Sequence, residues 1–471
     1  MSQRFPFSID YWTGSQDHVV RLRAGTHFRF DLDAVNHFCL FDLSPRLVDL
    51  LRIASAIYVV DRLVKRHSPL GPRKPARSLG LKVQVFDEAF WNRLDIRDTI
   101  GEAVDFVSGD FWEIEFVKDS GHFSRATQLL SDPNEGQSRL IALYSGGLDS
   151  AAGLAARIAE NSSRPTIPVS VWHQPRQRDL LQRQYGVIRN RFRSQIDPLI
   201  VKVAMIWSSD LDKKQQERSQ RCRSFLFAAL GAITAITHGQ KTIELFESGV
   251  GAINLPLMSG MVGSKTTRSS HPEFLRLMSR LASLVAENDI EFRLPFFGQT
   301  KGQAVRRLAD LNLQELANMT ASCVGFPLRH SQAKQCGICP ACLFRRQAMH
   351  VAGIAEPDHS YLYDIFSPFP SVPISMDRLN YLKAFLMQVA QLNDVETHDR
   401  LPRAFERHLL STNILQRGQS QKGVIDLFAR YRDEWIAITS QARRNGQAWA
   451  KWLAPQQPQV RQEQGVTYAS A

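Results

Sequence analysis

The stretch Leu140-Ile141-Ala142-Leu143-Tyr144-Ser145-Gly146-Gly147-Leu148-Asp149-Ser150 decides the fold class of this chain. Its four leading apolar residues predict a short buried strand, and the alanine-rich run at 151–157 predicts a helix directly after the turn. The two glycines let the backbone approach an anion closely, since neither carries a Cβ, and a helix N-terminus attracts negative charge. Ser145 and Ser150 add hydroxyl donors, and Asp149 can orient the loop or contact a metal or nucleotide. The stretch therefore predicts a phosphate-binding loop between a strand and a helix.

The segments around this loop predict an α/β fold. Strand-like and helix-like segments alternate between residues 137 and 357, which is typical of a parallel sheet with helices on both faces. Ligands of such sheets bind beyond the carboxyl ends of the strands, where residues 145–150 are expected to lie. The loop lacks both the Gly-Lys-Ser/Thr ending of a Walker loop and the three-glycine spacing of the dinucleotide fingerprint. Neither of those nucleotide sites is expected here.

A second group of residues predicts a metal site. Four of the six cysteines fall within twenty residues, at Cys323, Cys336, Cys339 and Cys342. Four thiolates in one small loop can close a tetrahedral structural zinc site. The C-x2-C-x2-C spacing also begins a ferredoxin-type run, so an iron–sulfur cluster is the alternative. Disulfides are not expected, because nothing in the sequence indicates an oxidising compartment.

Together the two motifs resemble a known family. The SGGxDS loop, followed by a C…CGxCxxCxxR element that ends at Arg345, resembles the 7-cyano-7-deazaguanine synthase family of PP-loop ATP pyrophosphatases. Shorter matches lie between the motifs in the family's order, at 174–178, 221–226, 247–254, 272–274, Pro295 and Lys301. The resemblance spans residues 139–350, about half of the chain.

The resemblance implies a fold, a reaction and a set of site residues. The fold is the HUP-like PP-loop sheet, and the reaction cleaves ATP between the α and β phosphates to adenylate a carboxylate of 7-carboxy-7-deazaguanine. ATP and Mg²⁺ are expected at the loop residues Ser145, Gly146, Gly147, Leu148, Asp149 and Ser150. Asp149, Lys301 and Arg223 are the candidate catalytic residues, although a surface or structural charge is the alternative for each of the two cations. In the family an amine then forms a C–N bond with release of AMP and pyrophosphate, and the resulting amide is converted into a nitrile.

The chain departs from the family at several positions. The Cys323–Cys336 spacing is longer than usual, Gln303 stands where the family has a glutamate, and the loop at 253–255 lacks the usual acidic residue. Adenylation is therefore better supported than the family's usual substrate. The additional terminal regions resemble the deazaguanine-synthase-like components of Qat-type antiphage defence systems. That resemblance implies transfer of the deazapurine to a protein amine, with protein partners from the same operon.

The sequence predicts three segments. A small α+β module with a helix from Ser44 to about Arg66 is followed by the PP-loop domain with its zinc knuckle, and then by a helical extension with a disordered tail after Pro455. A second long helix is expected from Val424 to Leu453, with an aromatic stripe that is typical of a core or partner interface. The segment boundaries are 1–136, 137–357 (knuckle 323–345) and 358–471.

Composition sets further bounds on the function. The chain has 471 residues and a formal net charge of +12, and its arginines are dense at 176–193. This arginine-rich segment is either a solvated helix surface or a contact surface for nucleic acid or an acidic protein. No apolar run approaches the roughly 20 residues of a membrane helix, and residues 1–15 carry no secretory signal, so we expect a cytoplasmic protein without a membrane partner.

Two other functions fit the sequence. A tRNA-modifying PP-loop enzyme, acting by thiolation or ligation, would use the basic charge to contact RNA phosphates. A non-catalytic ATP-binding subunit of a defence complex would keep the loop while its terminal regions bind partners.

Overall fold

The computed structural model covers most of the chain. It describes residues 7–14, 19–30, 35, 38, 43–66, 76–121, 136–193, 195–206, 216–217, 219–257, 268–326, 335–357, 360–367, 374–393, 401, 403–412, 414 and 421–452. The predicted disordered tail lies outside the described residues.

A six-stranded sheet forms the centre of the molecule, in the order β10-β9-β6-β7-β8-β3. Its first five strands are parallel, as the sequence predicts, and β3 pairs antiparallel with β8 at the edge. The strands are β3 (Phe28–Phe30), β6 (Leu140–Leu143), β7 (Thr166–Trp172), β8 (Leu199–Met205), β9 (Thr242–Leu245) and β10 (Glu291–Arg293).

The strand order places a topological switch point beside β6. From β6 the chain builds β7 and β8 on one side and then returns to build β9 and β10 on the other side. The connection after β6 leads to one side of the sheet, and the connection after β9 leads to the other side. This divergence opens a crevice at the carboxyl ends of the two strands, which is the usual ligand position in open α/β sheets. The predicted phosphate loop follows β6 directly and therefore borders this crevice.

Helices cover both faces of the sheet. Alternate residues of β6 face opposite layers. Ile141 and Leu143 join the core under α6 (Arg223–Thr237), whereas Leu140 and Ala142 join the core under α4 (Leu148–Glu160). α6 packs closely against β6, since a Cβ on Gly231 of α6 would lie 2.7 Å from Leu143 Cδ2. The helices of this region are α4 (Leu148–Glu160), α5 (Pro175–Phe192), α6 (Arg223–Thr237), α7 (Gly249–Ile253), α8 (Pro272–Ala286), α9 (Lys301–Asp310), α10 (Gln314–Met319) and α11 (Pro340–Val351).

The N-terminal region has its own sheet but shares the main core. Its four strands run in the order β2-β1-β4-β5, and its helix α1 is buried along nearly its whole length between β4 and α6. The predicted helix start is confirmed, because Ser44 caps the helix and a proline occupies its first turn. The elements are β1 (Ser8–Thr13), β2 (Val20–Arg23), α1 (Pro45–Leu63), β4 (Ser78–Val85), α2 (Glu88–Trp91), α3 (Leu94–Ser108) and β5 (Phe111–Lys118).

The C-terminal region is helical, but one predicted helix was wrong. The helix expected from Val424 to Leu453 ends at Arg444, and a separate 3-10 turn covers Ala448–Trp452. Gly446 adopts φ +72°, the left-handed conformation that ends helices, and the turn lets Trp449 donate from its indole to the Ile365 carbonyl at 2.8 Å. The α-helices are α12 (Asn380–Gln391), α13 (Arg403–Ser411) and α14 (Gln421–Arg444).

Among the described residues, we find no helix that combines the length and the apolar character of a membrane span.

Candidate functional site

The Ser-Gly loop is shaped for close approach of an anion. Gly146 adopts φ +76°, and a Cβ there would lie 3.1 Å from Leu181 Cδ2, so both conformation and space favour glycine. The Ser145 and Ser150 hydroxyls lie 2.9 Å apart, and the Gly147 amide donates to Ser145 Oγ at 3.3 Å. Among the described residues, no side chain caps the N-terminus of α4. The first turn of this helix therefore keeps amide groups that can face a phosphate.

Buried hydrogen bonds from α5 and β7 stabilise the Ser-Gly loop. Tyr144 donates from its hydroxyl to Gln184 Oε1 at 2.8 Å, and Gln184 Nε2 donates to the Gly146 carbonyl at 3.1 Å. The Ser170 hydroxyl donates to the Tyr144 carbonyl at 2.7 Å. Sequence reasoning missed Gln184, although its position in α5 next to the buried Leu181 and Tyr185 marks it as facing the core.

Asp149 and Lys301 form an ion pair at the switch point. Lys301 Nζ contacts Asp149 Oδ2, and the two side chains are only 12% and 13% exposed. Asp149 Oδ1 is buried and has no hydrogen-bond partner among the described residues. The structure thus brings together two predicted site residues that are 152 positions apart in the sequence.

Glu247 adds a second carboxyl group to this pair. It follows β9, on the other side of the crevice from the Ser-Gly loop. Burial raises the pKa of Glu247, the negative charge of Asp149 raises it further, and Lys301 lowers it. Burial lowers the pKa of Lys301, but Asp149 and Glu247 more than offset this effect, so the pKa is raised and the ammonium stays charged. The family resemblance includes a segment match at 247–254, but no residue pattern singles out this glutamate.

Arg223, the third predicted catalytic residue, lies in a different group. It is the first residue of α6, and its side chain is exposed. Its guanidinium lies close enough to His173 to lower the pKa of that imidazole. No hydrogen bond or ion pair joins Arg223 to the Ser-Gly loop or to Lys301 within the part of the chain that the structure describes.

The four predicted cysteines converge on one point. The sulfur atoms of Cys323, Cys336, Cys339 and Cys342 lie within 4.8 Å of one another. The Cys336 and Cys339 amides donate to the sulfurs of Cys323 and Cys336, at 3.4 and 3.3 Å. Thiol hydrogen bonds from the other three cysteines lower the pKa of Cys323. The group has the number, type and spacing of ligands to hold a metal ion.

Arg345 fixes the helix that carries the last cysteine. Its side chain is fully buried and donates to the Ala317 carbonyl at 2.9 Å, to Glu356 Oε1 at 3.0 Å and to the Tyr361 hydroxyl at 3.1 Å. This arginine of the CxxCxxR motif therefore anchors α11, which carries Cys342, to Ala317, Glu356 and Tyr361.

The C-terminal region reaches the site through Glu434 of α14. The Thr300 hydroxyl, which caps the helix that begins at Lys301, donates to Glu434 Oε1, and Gln347 Nε2 donates to Glu434 Oε2. A Cβ on Gly302 would lie 2.9 Å from the same carboxylate. Burial raises the pKa of Glu434 to about 7. No sequence signal distinguished Glu434 from the solvent-facing charges of its helix.

A comparison with known families agrees with part of this picture. Residues 266–353 match the family model of the queuosine biosynthesis protein QueC. The matched segment is less than a fifth of the chain, and it contains Lys301, the four cysteines and Arg345 but not the Ser-Gly loop. The match supports a QueC-like PP-loop family. No curated protein matches the chain.

Proposed function

We propose that this protein is an ATP-dependent ligase or synthase that adenylates the carboxylate of a 7-carboxy-7-deazaguanine-like substrate. The observation that carries the proposal is the Asp149–Lys301 pair beside the Ser-Gly loop, at the switch point of a parallel sheet. Asp149 lies in the first motif of the family resemblance, and Lys301 is one of its later matches. The separate QueC match, over residues 266–353, contains Lys301.

The chain's own groups account for the first step. The carboxylate oxygen attacks the α-phosphorus of ATP, the bond to the bridging oxygen breaks, and pyrophosphate leaves. Backbone amides in the first turn of α4 stabilise the charge on the phosphates. The Lys301 ammonium offsets further negative charge, and Asp149 orients it through their ion pair.

The carboxyl groups at this point also fit Mg²⁺. Hard cations prefer oxygen ligands, and Asp149 Oδ1 is buried without a partner among the described residues, with Glu247 nearby. When bound, Mg²⁺ would neutralise charge that develops on the leaving pyrophosphate.

The second step transfers the acyl group to an amine. The amine nitrogen attacks the acyl carbon, AMP leaves, and the amine loses a proton. With ammonia as the amine, a second ATP-dependent step would give the nitrile. With a protein amine, the product would be a protein that carries the deazapurine, as expected for an antiphage defence component.

We assign a structural zinc ion to the four cysteines. Tetrahedral zinc with bonds of about 2.3 Å separates its sulfurs by about 3.8 Å, which is the distance between the Cys336 and Cys342 sulfurs. An iron–sulfur cluster would not hold all four sulfurs within 4.8 Å of one another, because its thiolates are divided between two or four irons. Metal analysis of the purified protein should therefore give one zinc ion and no iron, and an iron-containing chromophore would contradict the assignment.

The reaction is tested by measuring pyrophosphate and AMP release from Mg-ATP in the presence of 7-carboxy-7-deazaguanine. Asp149→Asn should reduce release by about 100-fold or more, because it removes the charge that orients Lys301. Asp179→Asn, the same exchange at an exposed position of α5, serves as the control and should leave release unchanged. Mass spectrometry then separates a nitrile product from a deazapurine attached to protein. If the unmodified enzyme releases no pyrophosphate with either ammonia or partner proteins as the acceptor, the proposed function is rejected. A tRNA-modifying enzyme or a non-catalytic subunit would then be favoured.

A further inference from the structure

A cluster of aromatic and cationic side chains lies beyond the carboxyl end of β7, the strand next to β6. The rings of Tyr58 and His173 stack with centroids 5.7 Å apart and an interplanar angle of 12°. Tyr58 comes from α1 of the N-terminal region, and His173 follows β7. Arg62, one turn after Tyr58, and Arg223 at the start of α6 both lie close enough to affect the charge state of these two rings. Three separate parts of the chain thus meet at one point.

The two arginines of the cluster lack carboxylate partners among the described residues. Arg62 Nη1 donates to the Glu217 carbonyl at 2.8 Å, but its Nε is buried and has no partner there. Within the part of the chain that the structure describes, Arg223 forms no ion pair. Other arginines in this half of the molecule are paired with aspartates at 2.8 Å or less: Arg52 with Asp119, Arg66 with Asp110, and Arg77 with Asp61 and Asp110. Two neighbouring guanidinium groups that have no counter-ion among the described residues are suited to bind an anion.

His173 offers a hydrogen-bond acceptor beside this positive charge. Its Nδ1 lies 2.9 Å from the Val203 carbonyl and therefore carries the ring hydrogen. Burial lowers the pKa of His173 to about 4, with a further contribution from Arg223, so the imidazole is neutral at pH 7. Its Nε2 then presents a lone pair, and this buried atom has no partner among the described residues. A buried polar atom of this kind needs a partner, so a ligand that binds here should supply a donor.

We propose that Tyr58, Arg62, His173 and Arg223 bind the planar, carboxylate-bearing substrate, with the guanidinium groups on its carboxylate and His173 Nε2 on a ring N–H. This assignment rests on the proposed function and extends it to the N-terminal region, because Tyr58 and Arg62 precede the phosphate loop by more than eighty residues. The position suits the chemistry: ATP phosphates at the loop after β6 and an acceptor carboxylate beyond the adjacent β7 lie at the same edge of the sheet.

Calorimetric titration of the full-length protein tests the site. The ligands are 7-carboxy-7-deazaguanine, 7-deazaguanine without the carboxylate, and ATP. Arg62→Gln and Arg223→Gln should each weaken binding of the carboxylate ligand by about 10- to 100-fold, as expected for a lost charge-assisted hydrogen bond. Neither exchange should alter the affinity for ATP. Arg97→Gln, at an exposed position of α3, is the matched control and should bind all three ligands as the unmodified protein does.

A second variant separates binding from folding. His173→Phe keeps an aromatic ring against Tyr58 but removes Nε2. It should therefore weaken the binding of both 7-carboxy-7-deazaguanine and 7-deazaguanine and leave ATP binding unchanged. Melting temperatures of all variants are compared, and Arg62→Lys, which retains the charge, should bind better than Arg62→Gln.

The outcomes distinguish the two proposals. If the unmodified protein binds 7-carboxy-7-deazaguanine and both glutamine variants bind it equally well, the site assignment is wrong and the proposed function stands. Weaker ATP binding with unchanged carboxylate binding would reassign the cluster to the nucleotide. If the unmodified protein does not bind the carboxylate at all, the proposed function and the site fall together.

Discussion

Asp149 and Lys301 form the charged centre of the candidate site, and each is largely shielded from water. Removal of one partner leaves the other as a buried charge without its counter-ion, whereas removal of both does not. We therefore expect Asp149→Asn and Lys301→Met each to lower the free energy of unfolding by about 3 kcal/mol, near the low end for buried pairs because both side chains keep some exposure.

The double variant Asp149→Asn/Lys301→Met should lose less stability than the sum of the single losses, by about 1 kcal/mol or more. Urea unfolding of the four proteins measures this coupling, with Asp179→Asn as the exposed control. Strictly additive losses would show that the two charges do not stabilise each other in the folded protein.

Individual residues differ in how far the sequence predicts them. Asp149 stands in the motif that carries the family resemblance, and the cysteines stand in a motif whose spacing predicts a metal site. The structure places the four sulfurs together as that spacing predicts. Glu247 and Glu434 stand in no such motif. Their importance comes from burial against elements distant in sequence, and a charged residue in a helix or after a strand is usually solvated.

The contact between α14 and the start of α9 links the C-terminal region to Lys301. Glu434 accepts hydrogen bonds from Thr300 and Gln347, and the cations Arg306 and Arg430 lie nearby. Its pKa of about 7 in the folded protein is above the usual value of 4.5. Between these two values the folded protein binds more protons than the unfolded chain, so this group makes stability fall as the pH rises from about 4.5 to 7.

Glu434→Gln should remove this pH dependence. Melting temperatures of the two proteins are compared at pH 5, 6, 7 and 8, where other titrating groups contribute equally and cancel in the difference. The unmodified protein should lose stability relative to the variant by about 2 °C or more between pH 5 and 8. If the melting temperatures of the two proteins differ by the same amount at every pH in this range, a raised pKa for Glu434 is contradicted.

Strand and helix patterns predicted most elements of the central region correctly, because a parallel sheet produces short apolar strands that alternate with amphipathic helices. The antiparallel edge strand β3 was not predicted, since it is three residues long and its pairing with β8 is a tertiary contact. The helix through Val424–Leu453 was predicted too long, although Gly446 marks its end. A glycine near the end of an amphipathic run outweighs the apolar spacing that continues beyond it.

One hydrophobic core joins the N-terminal region to the central α/β region. Buried side chains of α1 and α6 belong to the same cluster, and β3 completes the edge of the main sheet. The sequence predicts a boundary at residue 136, but composition and linker residues do not report whether two segments share a hydrophobic face.

A chain that begins at residue 137 tests how far the regions depend on each other. Its α6 would expose the apolar face that α1 covers, and β8 would become an unprotected edge strand. We expect this truncated chain to be aggregation-prone, to bind a hydrophobic dye strongly and to lack a cooperative melting transition. Removal of residues 456–471, the predicted tail, is the control and should leave melting unchanged. If the chain from residue 137 instead melts cooperatively near the temperature of the intact protein, the shared core contributes little stability. In that case the N-terminal region acts mainly through the side chains that it places beside Arg223.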